Sequence, residues 1–238
     1  QYCGGIVYRL PLLRENNFFP DLSSIPGDVL DRAKLLVINY PNSPTGKTAT
    51  REFYGRVIDF AKRHELVVVQ DAAHVMLSYG ERPLSFLEMP GARDVGVEVH
   101  SLSKGWHMIG WRLGWVCGNA RIVRAFADIK DNSDSGQFIA IQKAAIAALD
   151  NPEIPRRARA KYHRRLSKLV ATLRRCGFEC DVPGGTYFLY APAPKGTADG
   201  RRFESAEACS QYLITEHSIC TVPWDDAGAF LRFSVTYE

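Results

Sequence analysis

The segment HSLSKGWHMIGWRLGW places one lysine, Lys104, between small hydroxyl residues and a run of tryptophans and glycines. An ammonium group in apolar surroundings either has a partner or loses its charge. If Trp106 and Trp111 desolvate Lys104, its pKa falls, and a neutral amine is the nucleophile that forms Schiff bases with carbonyl compounds. The alternative is a lysine at the edge of the core whose ammonium group extends into solvent.

A carboxylate stands at a comparable position earlier in the chain. Asp71 ends the apolar run LVVVQD, so we expect it to be half-buried. A carboxylate in such a place is costly unless a cationic group meets it. The alternative is that Asp71 caps the turn that follows it.

An anion-binding group surrounds the lysine. Ser101, Ser103 and Arg112 supply two hydroxyls and a guanidinium, while Gly105 and Gly110 leave the backbone open. Hydroxyls and a guanidinium that converge near a strand end suit a phosphate dianion, because arginine can bind it through two parallel hydrogen bonds. The alternative for the arginine is a salt bridge to a neighbouring Asp or Glu.

The carboxylate, the amine and the phosphate site together fit a cofactor with a ring nitrogen, an aldehyde and a phosphate. That cofactor is pyridoxal 5′-phosphate (PLP), whose ring nitrogen must stay protonated for the ring to accept electrons. We predict no metal site, because the six cysteines are scattered and only Cys176 and Cys180 are close in sequence. Reduced cysteines in a cytoplasmic protein are the expectation.

Alternating strands and helices must position these groups. Strand-like runs occur at KLLVINY, LVVVQD, DVGVEVHS and RLGWVCG, and TREFYGRVIDFAKRHE has helical spacing between the first two. Four consecutive apolar residues in LVVVQD predict a fully buried strand of a parallel sheet covered on both faces. The polar residues fall where strands end, which is where open α/β sheets bind ligands. They are Asn42, Ser43, Asp71, Ser101, Ser103 and Lys104.

The second half of the chain has a different pattern. Helical periodicity covers RIVRAFADIK, SGQFIAIQKAAIAALD and a basic helix from about Glu153 to Arg175, and short strand-like runs follow at FECDV, TYFLYA, SICTV and FLRFS. We predict a mainly parallel α/β large domain over residues 1–149 and a smaller α+β domain over residues 150–238. The chain opens without Met on the strand-like GIVYRL, so we expect a fragment that lacks the N-terminal part of the large domain.

Charge and hydropathy exclude several classes of protein. The net charge of +4 is nearly balanced, and the basic run PRRARAKYHRR has the pattern of a solvated helix face. No apolar run approaches the roughly 18 residues that a membrane span needs. We therefore predict neither nucleic acid nor membrane as a partner.

Four motifs in order resemble the signature set of the class I/II aminotransferases, which have fold type I among PLP enzymes. They are YPNSPTG, VVVQDAAH, SLSKGWHMIGWRLGW and LRFS, and the resemblance extends over essentially the whole chain. The spacings also match, with 28 residues from Ser43 to Asp71, three from Ser101 to Lys104 and eight from Lys104 to Arg112. The resemblance implies a fold like that of aspartate aminotransferase.

The resemblance also implies residue roles. Lys104 would be the Schiff-base lysine, Asp71 the partner of the pyridinium nitrogen, and Arg232 the group that binds the substrate α-carboxylate. Ser101, Ser103 and Arg112 would form the phosphate site. The GGTYFL turn resembles the edge of the small domain near the active site, and His107 is interpreted as a loop residue with a structural or subunit-contact role.

Two positions depart from the family pattern. The family usually has Asn directly before Pro-Thr-Gly, where this chain has Ser43 and places Asn42 one residue earlier. It usually has Tyr three residues after the Asp, where this chain has His74. Both positions normally hydrogen-bond the phenolic oxygen of the cofactor, and a hydroxyl or an imidazole N–H can still donate there. The alternative is a histidine on a helix face that turns away from the ring.

Within the family, ENNFFPDLSSIP, INYPNSPTGKTATREF and DVGVEVHSLSK look most like bacterial sequences of the LL-diaminopimelate aminotransferase group. Such an enzyme would transfer an amino group from glutamate to tetrahydrodipicolinate, an oxo-acid equivalent, in lysine biosynthesis. An aspartate- or alanine-type aminotransferase is the alternative substrate class. A catalytically silent fragment or cofactor-binding remnant is the alternative of another class. The family resemblance further implies a homodimer.

Overall fold

A four-stranded sheet forms the first half of the molecule in a computed structural model that describes residues 4–80, 82–134 and 136–236. Its strands are β1 (Leu35–Asn39), β2 (Val67–Asp71), β3 (Gly96–Ser101) and β4 (Gly114–Gly118), in the order β1-β2-β3-β4. The first three strands are parallel and β4 is antiparallel to β3. The prediction of a mainly parallel sheet is confirmed.

Helices connect and flank the strands. The α-helices are α1 (Gly27–Leu30), α2 (Arg51–Arg63), α3 (Ala92–Val95), α4 (Leu102–Gly105), α5 (Ala120–Asp131), α6 (Ile139–Leu149), α7 (Glu153–Arg175) and α8 (Ala206–His217). Short 3-10 helices lie at Arg14–Asn16, Leu22–Ser24, Val75–Leu77, Phe86–Glu88 and Ile109–Trp111.

Helix α2 shows why this part of the sequence folds as it does. It begins after Thr50, whose side chain accepts a hydrogen bond of 3.1 Å from the Phe53 N–H. Capping of this kind satisfies one of the free backbone donors at a helix start. The apolar face of α2 then packs against one side of β1 and β2, in a core that contains Leu36, Ile38, Phe53, Tyr54, Val57, Ile58 and Val68.

The prediction that LVVVQD is fully buried is wrong. In β2, Val68 and Gln70 are buried, whereas Val67, Val69 and Asp71 are only half-buried. Strand β1 alternates more sharply, with Leu35 and Val37 exposed at 61% and 65%. Side chains alternate between the two faces of a strand, and in the described chain only the face toward α2 is fully covered at β1.

A three-stranded antiparallel sheet forms the second half. It comprises β5 (Phe188–Pro192), β6 (Val222–Trp224) and β7 (Phe230–Ser234), in the order β5-β7-β6. Helices α7 and α8 bury apolar residues against it, in a core that also includes Leu77 from the first half. The core contains Ala158, Tyr162, Leu166, Val170, Leu189, Ala191, Cys209, Leu231 and Phe233.

Two predicted strands do not form, and a third, SICTV, is a strand only at its last residue, Val222. The run FECDV is irregular, because its Cys180 carbonyl accepts a hydrogen bond of 2.8 Å from Arg174 of α7 instead of joining a sheet. In GIVYRL, Ile6 and Val7 are exposed at 80% and 62%, and the described part of this run pairs with no strand.

The predicted boundary between residues 149 and 150 falls at the end of α6, directly before α7 begins. The division into two domains at this position stays a prediction. Within the described residues, no helix combines the length and the apolar character needed to span a membrane.

Candidate active site

The carboxyl ends of the parallel strands meet at one edge of the four-stranded sheet. Asn39 of β1 lies beside Asp71 of β2 in the register, and its Nδ2 donates to the Asp71 carbonyl at 3.0 Å. The Asn39 Oδ1 accepts a hydrogen bond of 2.9 Å from the N–H of Ser43. Asn39 therefore ties the YPNSPTG loop to the end of β2, a role that sequence reasoning missed because the residue lies within the strand-like run KLLVINY.

Asp71 is half-buried, as the sequence predicted, and it also caps the turn that follows, which was the alternative. Its Oδ1 accepts a hydrogen bond of 2.9 Å from the Ala73 N–H, as a turn-capping carboxylate does. Among the described residues no cation pairs with Asp71, and its second oxygen has no hydrogen bond there. One carboxylate oxygen is therefore available to a ligand at the strand end.

Asn42 and Ser43 differ in whether their side-chain oxygens are available to a ligand. Asn42 is buried, and its Oδ1 accepts hydrogen bonds from Thr45 Oγ1 at 2.8 Å and from Thr45 N at 3.3 Å. This side-chain oxygen is used inside the loop. Ser43 is half-buried, and its hydroxyl forms no hydrogen bond within the described part of the chain.

Lys104 lies in the single turn α4, which begins directly after β3. The Ser101 hydroxyl caps this turn by accepting a hydrogen bond of 3.0 Å from the Ser103 N–H. The turn packs closely on the neighbouring 3-10 helix, since a Cβ added at Gly105 would lie 2.8 Å from the Met76 Cβ. Gly105 therefore permits this approach, whereas a Cβ at Gly110 would meet nothing within 4 Å.

The aromatic ring beside the lysine belongs to the second half of the chain. Lys104 Nζ lies 5.7 Å from the centroid of the Tyr187 ring. The Trp106 indole instead donates to the Ala148 carbonyl at 2.9 Å, and Trp111 is 46% exposed. The described ring contact of Lys104 is thus with Tyr187 rather than with the two tryptophans that the sequence indicated.

His74 is buried at 5% exposure, directly before the 3-10 helix Val75–Leu77. Its ring centroid lies 5.4 Å from that of Tyr187 and 6.2 Å from that of Phe188. Burial and the nearby Lys104 charge lower the pKa of His74 to about 4, so the imidazole is neutral at pH 7. The His74 Nδ1 is buried and has no hydrogen-bond partner in the described structure, which is unusual for a buried polar atom.

The predicted phosphate-binding residues lie at the end of β3 and in the segment that connects β3 to β4. Ser101 pairs with Gly114 across β3 and β4, and the Leu102 N–H donates to the Leu113 carbonyl at 3.3 Å. This hairpin brings Arg112 alongside the turn that contains Ser103. Ser103 is buried, and Arg112 is exposed and donates to the Ile109 carbonyl at 2.7 Å. The alternative salt bridge of Arg112 to an Asp or Glu does not occur among the described residues.

Arg232 lies on β7, the middle strand of the three-stranded sheet, with its guanidinium carbon 4.3 Å from the centroid of the Phe188 ring. No carboxylate pairs with Arg232 within the residues described. Phe188 follows Tyr187 directly, and their rings lie 4.6 Å apart. The rings of Tyr187 and Phe188 therefore lie between Lys104, His74 and Arg232. The sequence had indicated these two residues only as part of the GGTYFL turn.

The GGTYFL turn is docked on the first half of the molecule by backbone contacts. The Thr186 N–H donates to the Leu77 carbonyl at 3.1 Å, and the Tyr79 N–H donates to the Gly184 carbonyl at 2.8 Å. A Cβ added at Gly185 would lie 2.8 Å from the Pro41 Cβ. The two halves therefore meet beside His74, as the resemblance implied.

His107 lies outside this group. It is an exposed loop residue with a φ of 56°, and its ring centroid lies 5.4 Å from that of Tyr162 on α7. This contact agrees with a structural role.

Several polar groups at this edge and on the neighbouring three-stranded sheet have hydrogen-bonding atoms available to a ligand. Arg112 and Arg232 have no carboxylate partner in the described structure, and His74 Nδ1 and the Ser43 hydroxyl have no hydrogen bond there. Two guanidinium groups suit two anionic groups, and the imidazole and the hydroxyl suit an acceptor oxygen. With Lys104 and one oxygen of Asp71, this donor set fits PLP together with an amino-acid carboxylate.

Comparison with known proteins agrees with this arrangement. A family model described as aminotransferase class I and II matches residues 1–237. The chain is 54% identical over its whole length to an LL-diaminopimelate aminotransferase from Methanococcus maripaludis, and it spans 57% of that protein.

Solved structures show the same fold. BacF from Bacillus subtilis superposes with a TM-score of 0.89 at 32% identity, over 97% of this chain and 59% of BacF. A mutant aspartate aminotransferase from Thermus thermophilus superposes with a TM-score of 0.86 at 27% identity, over 100% of this chain and 61% of the enzyme. Since the family model covers nearly every residue, the chain belongs to the class I and II aminotransferases and has an aspartate aminotransferase-like fold.

Proposed function

We propose that this protein is a PLP-dependent aminotransferase that transfers an amino group from glutamate to tetrahydrodipicolinate and so forms LL-diaminopimelate. The observation that supports this most is Lys104, an amine at the end of β3 whose neighbours include a buried, neutral His74 with an unpaired nitrogen. The substrate class rests on the 54% identity to an LL-diaminopimelate aminotransferase. The chain spans 57% of that relative, so the activity is proposed for the protein that contains this sequence.

Besides Lys104, the residues of this chain would hold PLP at three points. Ser101, Ser103 and Arg112 would bind its phosphate, and Asp71 would keep the ring nitrogen protonated. His74 and Ser43 would donate hydrogen bonds to its phenolic oxygen. When bound, PLP supplies an aldehyde and an electron-accepting ring that stabilises negative charge on the substrate α-carbon.

Lys104 and Arg232 would do the work on the substrate. The Arg232 guanidinium, whose carbon lies 4.3 Å from the centroid of the Phe188 ring, would bind the substrate α-carboxylate through two parallel hydrogen bonds. Lys104 Nζ would form the covalent link to the cofactor and, when free and neutral, would accept the proton that leaves the substrate α-carbon. Tyr187 covers this amine and limits its contact with water.

The test is an assay with glutamate and three acceptors: tetrahydrodipicolinate, oxaloacetate and pyruvate. We expect LL-diaminopimelate to be the main product. Faster amino transfer to oxaloacetate or pyruvate would replace the proposed substrate with that of an aspartate- or alanine-type enzyme. A bound cofactor with no transfer to any acceptor would favour the second candidate, a cofactor-binding remnant.

The role of His74 has its own test. In a His74→Phe variant, the pH at which the visible absorbance of bound PLP changes should shift, because one hydrogen-bond donor to the phenolic oxygen is lost. An unchanged pH dependence would exclude this hydrogen bond.

We also propose a homodimer and a cytoplasmic location. Exposed apolar side chains on α5 and around the start of α6 support the dimer, since they offer a surface for a second copy. They include Phe126 at 49%, Ile129 at 70%, Phe138 at 72% and Ile139 at 67% exposure. Sedimentation of the purified protein should give twice the chain mass, and a monomer at micromolar concentration would contradict the proposal.

A further inference from the structure

A second cluster of ionisable side chains lies on the four-stranded sheet, away from Lys104. Glu98 and His100 belong to β3, and Cys117 faces Glu98 across the β3–β4 pair. Glu98 is also beside Gln70 in the register, whereas Asp71 is beside Val99. Because side chains alternate along a strand, the cluster lies on the opposite face of the sheet from Asp71.

The three side chains are close enough to share one ion. The carboxylate of Glu98, the imidazole of His100 and the sulfur of Cys117 offer ligand atoms that all lie within 4.8 Å of one another. His100 Nε2 is 3.0 Å from Glu98 Oε2. A tetrahedral zinc site with bonds of about 2.0–2.3 Å has ligand atoms roughly 3.3–3.6 Å apart, so shifts of about an ångström would complete the geometry.

Neighbouring groups already orient two of the ligands. Glu98 Oε1 accepts a hydrogen bond of 2.5 Å from the Phe86 N–H, and Glu98 Oε2 accepts one of 2.9 Å from Ser85 Oγ. The His100 ring stacks on Trp115, with centroids 5.2 Å apart and planes 9° from parallel. Groups that fix the orientation of metal ligands strengthen metal binding.

The electrostatic surroundings favour a cation. Glu98 is buried at 2% exposure, and no Lys or Arg pairs with it among the described residues. The adjacent Gln70 has a buried Oε1 without a hydrogen-bond partner in the structure described.

We propose that Glu98, His100 and Cys117 form a binding site for a divalent cation of the Zn²⁺ class. Thiolate, imidazole and carboxylate are the ligands that zinc takes in proteins, and a water molecule would occupy the fourth position. Binding would release the Cys117 thiol proton to solvent, and His100 would bind through Nε2 with its ring hydrogen on Nδ1. The sequence did not indicate this site because Cys117 meets Glu98 and His100 only through the pairing of β3 with β4.

The experiment measures Zn²⁺ affinity of the PLP-loaded full chain by competition with a chromophoric chelator, and the ligands by zinc K-edge X-ray absorption. We expect one bound ion with a single Zn–S distance of about 2.3 Å. Cys117→Ser should weaken binding by more than the roughly 10–100-fold that loss of an outer-shell partner costs.

The matched control is Cys220→Ser, which removes an exposed cysteine outside the cluster. It should leave both the affinity and the Zn–S signal unchanged. The proposal is overturned if the wild-type chain does not compete with the chelator, if the spectrum contains no sulfur ligand, or if Cys117→Ser binds as tightly as the wild type. The His100→Gln variant tests whether Zn²⁺ is bound by all three side chains or by the Cys117 thiolate alone. If this variant keeps the wild-type affinity, the proposal is also overturned.

Discussion

The edge of the four-stranded sheet holds its functional side chains by hydrogen bonds, whereas the three-stranded sheet contributes to the site through ring contacts. Asp71 and Ser101 each accept a hydrogen bond from a backbone N–H two residues further along. Arg232 lies over the Phe188 ring, and Tyr187 lies beside Lys104. A hydrogen bond fixes the direction of its two groups, whereas a cation over a ring keeps its N–H donors available for another partner. The first region therefore suits a fixed cofactor, and the second suits substrates that come and go.

The largest effect is expected at Lys104, at the edge of the four-stranded sheet. Lys104→Ala should lower the rate of amino transfer by at least about 10⁴-fold, because one side chain supplies both the nucleophile and the proton acceptor. Single-turnover assays with glutamate measure this loss. Borohydride reduction with PLP should label the peptide that contains Lys104 in the wild type and in the control Lys143→Ala, an exposed lysine on α6. Labelling that persists in Lys104→Ala would assign the chemistry to another lysine.

His74 stands between the two regions, and its buried neutral state should make stability depend on pH. Its pKa is lowered from 6.5 to about 4, so below pH 6.5 the unfolded chain binds a proton that the folded chain excludes. The free energy of unfolding should therefore fall by about 3 kcal/mol between pH 6.5 and 4. Denaturant titration without added PLP measures this fall, and His74→Phe should lack it.

The control for the pH experiment is His217→Phe, at the exposed end of α8. It should keep the pH dependence of the wild type. An equal fall in His74→Phe and in the wild type would show that another group causes it.

The Arg232→Lys variant tests the contribution of the three-stranded sheet to substrate binding. A lysine keeps the charge but loses the planar fork that binds a carboxylate through two hydrogen bonds. We expect kcat/KM for glutamate to fall about 10–100-fold. Arg201→Lys is the matched control, because Arg201 also lies over a ring, that of Tyr212 at 4.8 Å, outside the site. Equal losses in the two variants would attribute the effect to ring stacking alone.

The smallest effect is expected where the two regions touch. Gly46 has a φ of 70°, and a Cβ added there would lie 2.4 Å from the Pro183 Cβ. Gly46→Ala should lower the free energy of unfolding by about 2 kcal/mol, from backbone strain and this clash. Gly55→Ala, in the middle of α2 with nothing within 4 Å of the added Cβ, should instead stabilise the protein by up to about 1 kcal/mol. A loss in Gly55→Ala equal to that in Gly46→Ala would contradict this account.

Local patterns predicted the elements whose formation depends on local periodicity. The predicted basic helix from Glu153 to Arg175 has the bounds of α7, and helix α2 covers Arg51–Arg63 within its predicted range. Both helices repeat apolar residues at helical spacing over many turns. FECDV, by contrast, had strand-like composition but forms no strand, and its Cys180 carbonyl accepts a hydrogen bond from the Arg174 side chain.

The site was predictable where residue type and strand end coincide, as at Asp71 and Lys104. Its ring contacts were not, because Tyr187 and Phe188 reach Lys104 and Arg232 only through the docking of one half of the chain on the other. Nothing in the spacing of these residues encodes that contact. The hydrogen bond from Thr45 to Asn42 within the loop could not be predicted either. An Asn before Ser-Pro is equally consistent with a ligand-binding residue and with a turn residue.

Tyr187 and Phe188 are consecutive residues, and this has a consequence for the order of events in a reaction cycle. Any rigid movement of the three-stranded sheet carries both rings together, since Phe188 begins β5. The surroundings of the Lys104 amine and of the Arg232 guanidinium, for which we propose a substrate-binding role, would therefore change in a single movement. Under the proposed function, one peptide bond would synchronise the binding of the substrate carboxylate with the shielding of the reacting amine.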